Sequence, residues 1–268
     1  RGMLEPWAIS HHRWKKAIAW HLYQRRDLEH ATCLHATAPS EAESIKRLGL
    51  RRPVFTIPNG VSTPPPAWQT WKKPIGASER PRNAIFLSRI HPKKGIPMLA
   101  EAWSRIRPQG WRMVVVGPDE NGHRAEVIDL VHRLGLSNDW EFRDQAFGEA
   151  KWRCLAEADL LILPTYSENF GNVVPESLLV ETPVVTTTGA PWEGLLTHSC
   201  GWWVSPTVEG LKQALTSAFS KSSDELREMG NRGRDWALQS FDWSTLAAKM
   251  IEVYQWALKE RQSPKCAH

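Results

Sequence analysis

The chain has 268 residues, 41% of them hydrophobic and 24% charged, with 34 Lys and Arg against 29 Asp and Glu. That composition describes one or two ordinary globular domains with a sizeable core and excludes a low-complexity chain. No run approaches the roughly 20 apolar residues that a bilayer-crossing helix requires, and no basic region followed by an apolar core opens the chain as a secretion signal would.

The chain opens with Arg1 rather than Met, so its start reads as the interior of a longer protein. The net charge of +5 suits an anionic ligand or an anionic membrane surface as well as plain solubility. Cys33, Cys154, Cys200 and Cys266 form no CxxC pair, which fits a reducing compartment and a cytoplasmic chain. The ten histidines give no HExxH, so no metal is expected. Most of the 15 tryptophans are expected in packing.

In chain order, the stretch from Glu5 to His30 has a helical stripe of Trp14, Ala17, Ile18 and Leu22. Its other face carries Arg13, Lys15, Lys16, Arg25 and Arg26, which suits solvent or a peripheral contact with acidic lipid. A short strand, "CLHAT", precedes a helix whose Ser40 and Glu43 have the spacing of a capping box. A second strand lies in "PVFTIPNG". Residues 62–83 hold five prolines and no periodicity, and read as a linker.

From residue 84 the pattern becomes regular. Apolar strands are expected in "AIFLS", "WRMVVVG", "WEF", "DLLILP", "PVVTT" and "GWWVS", separated by helices near 95–105, 123–134, 149–157, 173–181 and 208–219. Short apolar strands alternating with helices predict an α/β fold, a doubly wound parallel sheet covered on both faces. Such sheets bind ligands at the carboxyl ends of their strands. The chain is helical after residue 222, and Trp243, Leu246, Ala247, Met250, Ile251, Tyr254, Ala257 and Leu258 form an apolar stripe that must be covered.

Two loops carry the chemistry. In "SENFGNVVPES", Glu168 and Glu176 stand eight positions apart around Phe170, Gly171, Asn172 and Val173. Gly171 permits close approach of a ligand, Pro175 suits a first helical turn, and the amides of this segment suit an anion. A carboxylate on either side can accept hydrogen bonds from vicinal hydroxyls. In "FLSRIHPKKG", Arg89 and Lys94 leave the same edge of the sheet; a guanidinium can clamp a diphosphate and an ammonium adds a point charge. A nucleotide sugar has hydroxyls at both ends and phosphate between. "GPDENGHR" has the glycine spacing of a phosphate loop, but His123 and Arg124 occupy the Lys and Ser/Thr positions, so it is not one.

The segments "SRIHPKKG", "PTYSENFGNVVPESL" and "TPVVTTTGAPW", with "RGMLEPWA" and "IPNGV", resemble a retaining GT-B glycosyltransferase of family four. The resemblance implies a Rossmann-like GT-B donor domain at 84–240, the end of an acceptor-side domain at 1–61, a linker at 62–83 and a closing helix at 241–260 packing toward that acceptor-side domain. It also implies that Arg89 and Lys94 bind the donor diphosphate and that Glu168 contacts the donor sugar. Amides of Phe170 to Val173 would serve phosphate and sugar, and Glu176 the ribose. The implied reaction is hexosyl transfer to an acceptor hydroxyl with retention, in lipopolysaccharide or other cell-surface polysaccharide synthesis. The partners implied are a nucleotide-sugar donor and a glycan or lipid-linked acceptor, with no cofactor beyond the donor. One departure stands out: the family usually has Gly before "TPV", where this chain has Glu181. A sugar-nucleotide epimerase on the same fold and a basic nucleic-acid-binding module are the alternatives.

Overall fold

The computed structural model describes residues 20–72 and 81–258. Residues 13–19, which carry much of the expected basic face, lie outside them. The described residues divide into two compact units, one of residues 20–61, 168–170 and 241–258, the other of residues 62–72, 81–167 and 171–240.

The first unit begins with a π-helical turn, Trp20–Gln24, that runs into α1 (Arg25–His30). β1 (Leu34–Ala36), α2 (Pro39–Arg47) and β2 (Val54–Thr56) form a βαβ unit, the strands pairing in parallel with Leu34 beside Val54. The expected Ser40–Glu43 capping box does not form. Pro39 at the first helical position starts the helix earlier, so Glu41 is the acid that reaches back. Its Oε2 accepts from the Thr37 backbone N–H at 2.7 Å and from the Thr37 hydroxyl at 2.8 Å. Glu43 instead pairs with Arg47 one turn on.

The second unit contains a six-stranded sheet. Its elements are β3 (Arg82–Leu87), α3 (Ile96–Ile106), β4 (Trp111–Val116), α4 (His123–Arg133), β5 (Trp140–Arg143), α5 (Gly148–Glu157) and β6 (Leu160–Leu163), continued by α6 (Val173–Leu179), β7 (Val184–Thr187), α7 (Gly194–Thr197), β8 (Gly201–Val204), α8 (Val208–Phe219) and α9 (Ser223–Ser240). All five pairings are parallel, in the order β5-β4-β3-β6-β7-β8. Every residue of β6 and β7 is buried, as a sheet covered on both faces requires. Packed helices form two groups, α3 with α4 and α8, and α5 with α6 and α9.

Trp103 meets Trp140 and Phe219 edge-on at centroid distances of 6.0 and 5.1 Å, and the guanidinium of Arg82 lies 4.4 Å over the Trp111 ring. The tryptophan-rich composition is thus spent partly on an aromatic core. Residues 62–72, expected as linker, belong to the second unit: Pro66–Trp71 is a 3₁₀ helix that buries Trp68, and Lys72 Nζ donates to Glu181 O at 2.9 Å. α6 ends two residues earlier than expected. Glu181 takes a left-handed conformation at φ 57°, which a glycine would adopt without a Cβ penalty. α9 opens with a capping box in which Ser222 N–H donates to Glu225 Oε2 at 2.7 Å and Glu225 N–H to Ser222 Oγ at 3.1 Å.

The last helix, α10 (Trp243–Ala257), returns the chain to the first unit, with Asp242 accepting from Thr245 N–H as its N-cap. Leu246 and Val253 are buried with Phe55 and Ile57, and Trp256 meets Phe55 edge-on at 5.0 Å. The expected stripe is only partly covered: Trp243, Ile251, Tyr254 and Leu258 are exposed. The covered face is the one that carries Leu246, Met250, Val253 and Trp256, and these four residues fall beside it.

Candidate functional site

In sequence along the sheet, β3 is the first strand and β6 the fourth, and they are neighbours at the centre. Strand order therefore reverses between them, which defines the switch point at which open α/β sheets bind ligands. The two strands pair only at Ala84–Leu160 and Ile85–Leu161, so no pairing links their carboxyl ends. The loops that follow close over that gap: Tyr166 N–H donates to Lys93 O at 2.9 Å and Thr165 Oγ1 to the same oxygen at 3.2 Å.

Both expected cations come from the β3 loop. Lys94 ends a 3₁₀ turn, Pro92–Lys94, and is buried, at 7% exposure. Gly95 then has φ 68°, and a side chain there would collide with Pro164 O at the end of β6. This close approach seats Lys94 against the switch point. Arg89 reaches outward; its Nη1 lies 2.6 Å from Glu120 Oε2, with the two side chains 61% and 34% exposed. Glu120 sits in the loop after β4, and the backbones of the two loops are joined by Ile90 N–H to Pro118 O and Glu120 N–H to Ile90 O. The segment "GPDENGHR" is thus joined to the Arg89 loop through Pro118 and Glu120. Asp119 caps α4 by accepting from Gly122 and Arg124 N–H.

His91, between the cations, accepts from Lys93 N–H through Nδ1 at 3.0 Å. Burial pushes its pKa down, partly countered by Glu120 and reinforced by Arg89, His123 and Lys93. A ring nitrogen committed as an acceptor is consistent with a neutral imidazole.

The β6 loop carries the other residues. Gly171 has φ 79°, Val174 N–H donates to Gly171 O at 2.9 Å, and Glu176 N–H to Asn172 O at 3.2 Å, so the segment from Gly171 winds directly into α6. α6 is seven residues long. Val173 and Glu176 are half-buried and Asn172 is exposed. Glu176 is paired with Lys151 of α5 at 2.8 Å, the side chains being 16% and 26% exposed.

Arg89, Lys94, Gly171, Asn172, Val173 and Glu176 all belong to the second unit, on loops or first turns that follow β3 and β6. Glu168, Asn169 and Phe170 pack with the first unit. Phe170 is buried edge-on against Phe241 at 5.8 Å. The Asn169 amide, turned so that its nitrogen faces the Glu41 carboxylate, donates to Oε1 at 2.9 Å and Oε2 at 3.2 Å. Sequence reasoning missed Lys151, Glu120, His91, Asn169 and Glu41. A lysine in the first turn of α5, opposed to the helix dipole, was the one signal available for Lys151.

Comparison with known proteins bears on the family and the fold. Residues 68–236 match the family model described as glycosyl transferases group 1. The D-inositol 3-phosphate glycosyltransferase of Nocardia farcinica is 31% identical over 186 residues, covering 65% of this chain and 40% of that protein. The chain spans about half the length, or less, of the curated relatives it matches. Among solved structures, Anabaena HepE in complex with UDP and glucose superposes with a TM-score of 0.77 at 21% identity, covering 94% of this chain and 69% of that one. WaaG, a glycosyltransferase involved in lipopolysaccharide biosynthesis, gives 0.67 at 20% identity over 90% and 72%. The six-stranded parallel sheet and its helices are those of a GT-B glycosyltransferase. By the match across residues 68–236, the chain belongs to the glycosyl transferases group 1 family.

Proposed function

We propose that this chain is the donor-binding part of a retaining hexosyltransferase that takes a nucleoside-diphosphate sugar. The observation that carries the reading is the meeting of the cation-bearing β3 loop and the Glu176-bearing β6 loop at the switch point, joined through Lys93 O. Lys94 and Arg89 neutralise the diphosphate, with amides of Gly171, Asn172 and Val173 as further donors. Glu176 holds the ribose. Glu168 serves the sugar and the Phe170 amide the adjoining phosphate, both assigned on the sequence motif. In the transfer step the bond from the anomeric carbon to the diphosphate breaks, and the acceptor hydroxyl adds on the same face, its proton passing to the departing diphosphate oxygen. Arg89 and Lys94 stabilise charge that grows on the departing diphosphate, and they do so most in the transition state. HepE, of like fold, is described in complex with UDP-glucose, which supports a nucleotide-sugar donor. The fold shared with WaaG supports an acceptor in cell-surface polysaccharide synthesis.

Calorimetric titration of Glu176→Ala and Glu168→Ala tests the division of roles. Glu176→Ala is expected to weaken a free nucleoside diphosphate by about tenfold, the worth of a charge-assisted hydrogen bond. Glu168→Ala is expected to leave that affinity unchanged and to weaken only the sugar-bearing donor. Equal losses of free nucleotide in both variants contradict the assignment.

A further inference from the structure

Lys151 breaks a local rule. It stands in the first turn of α5, where the amide dipoles present positive charge and a cation is disfavoured. Within its own helix the Nζ meets only the Trp152 ring, 5.0 Å away, and the helix dipole opposes the charge; such local conflicts concentrate at functional positions. The side chain does not escape to solvent. It crosses to α6, where Nζ lies 2.8 Å from Glu176 Oε1, with both side chains largely withdrawn from water. Glu176, in the first turn of α6, needs no such partner for helix stability, because an acid is favoured at that end.

A carboxylate offers about four lone-pair directions on two oxygens. Lys151 engages one oxygen and leaves Oε2 for other donors. Without it, Glu176 turns about its side-chain torsions and offers a diol no single acceptor. We propose that Lys151 is a positioning residue that fixes the Glu176 carboxylate for a ribose diol and so makes the site select ribonucleotides over 2′-deoxyribonucleotides. The inference rests on the donor reading above and goes further by assigning a residue and a selectivity to it.

The test is calorimetry on the full chain with UDP, GDP and ADP, each beside its 2′-deoxy counterpart. The wild type prefers the ribo form of whichever nucleotide it binds. Lys151→Met lowers affinity for the ribo form by about tenfold and for the deoxy form by less than about twofold, since only the former uses the positioned acceptor. Lys151→Arg restores most of the preference, and Lys151→Met adds nothing in a Glu176→Gln background. A purely structural lysine lowers both forms equally, and an irrelevant one lowers neither; either result overturns the proposal. Circular dichroism on each variant separates a folding failure, and in that event the Lys151→Arg preference decides. If the wild type binds none of the three ribonucleotides, the donor reading itself falls and this inference with it. If Glu176→Ala weakens the nucleotide while Lys151→Met leaves the preference intact, only this inference falls.

Discussion

Arg89 Nη1 lies 2.6 Å from Glu120 Oε2, so the arginine proposed to hold the diphosphate is ion-paired across two neighbouring loops. The pair is half in solvent, and exposed pairs of this kind contribute about 0.2–1 kcal/mol. A diphosphate with two or more charges displaces such a partner readily, while Glu120 keeps the guanidinium near the sheet edge.

Glu120→Gln removes a competing negative charge and raises nucleoside-diphosphate affinity about two- to fivefold, the worth of the pair released. Arg89→Ala lowers it by about tenfold or more. Calorimetry at low and high salt checks both, and the Glu120→Gln gain shrinks as salt screens the charges. A loss of affinity in Glu120→Gln contradicts the competing role.

His91 gives a pH dependence with a defined sign. Its folded-state pKa is depressed below the ordinary value near 6.5 by burial and by the neighbouring cations, so the folded protein resists protonating it. The associated stability is fully present above about pH 6.5 and is lost as pH falls from there toward the depressed value. His91→Asn keeps an acceptor for Lys93 N–H without a titrating ring. Thermal unfolding between pH 7.5 and 5.5 is therefore steeper for the wild type than for His91→Asn. Parallel curves contradict the assignment.

Glu181 holds a left-handed backbone conformation that costs a non-glycine residue on the order of 1 kcal/mol. Part of that gain is offset by the freer unfolded chain of a glycine, so Glu181→Gly raises stability by about 0.5 kcal/mol. A side chain at Gly230 of α9 would collide with Glu181 O, and Gly230→Ala destabilises by about 1–3 kcal/mol. Chemical denaturation of the two variants gives opposite shifts in midpoint.

The Glu41 carboxylate is buried and accepts from Thr37 and Asn169. Asn169→Asp sets a second carboxylate against it and destabilises the first unit by about 2–3 kcal/mol. Adding Glu41→Gln exchanges donor for acceptor and recovers most of the loss. A double variant no more stable than Asn169→Asp alone contradicts the contact.

The six strands were legible because each is a run of four to six residues bounded by polar turns, and Leu160–Leu163 or Val184–Thr187 is too short and too apolar to read otherwise. Arg89, Lys94 and Glu176 were legible as residues that follow apolar strands. Their partners were not. Glu120 lies 31 residues from Arg89 and Lys151 lies 25 from Glu176, so only the folded chain brings them together. The capping box at Ser40 and Glu43 was misread because Pro39 shifted the helix start, a rule visible in the sequence but outweighed by the spacing match. The wide stripe on α10 showed what is apolar and not how much of it the first unit covers.

The central claim is that a nucleoside diphosphate binds where the β3 and β6 loops meet, against Lys94. Titration of the wild-type chain and of Lys94→Ala with UDP, GDP and ADP addresses it directly. The account predicts saturable binding of at least one of the three and its loss, by tenfold or more, in Lys94→Ala. Binding that survives Lys94→Ala unchanged, or no binding of any of the three by the wild type, contradicts it.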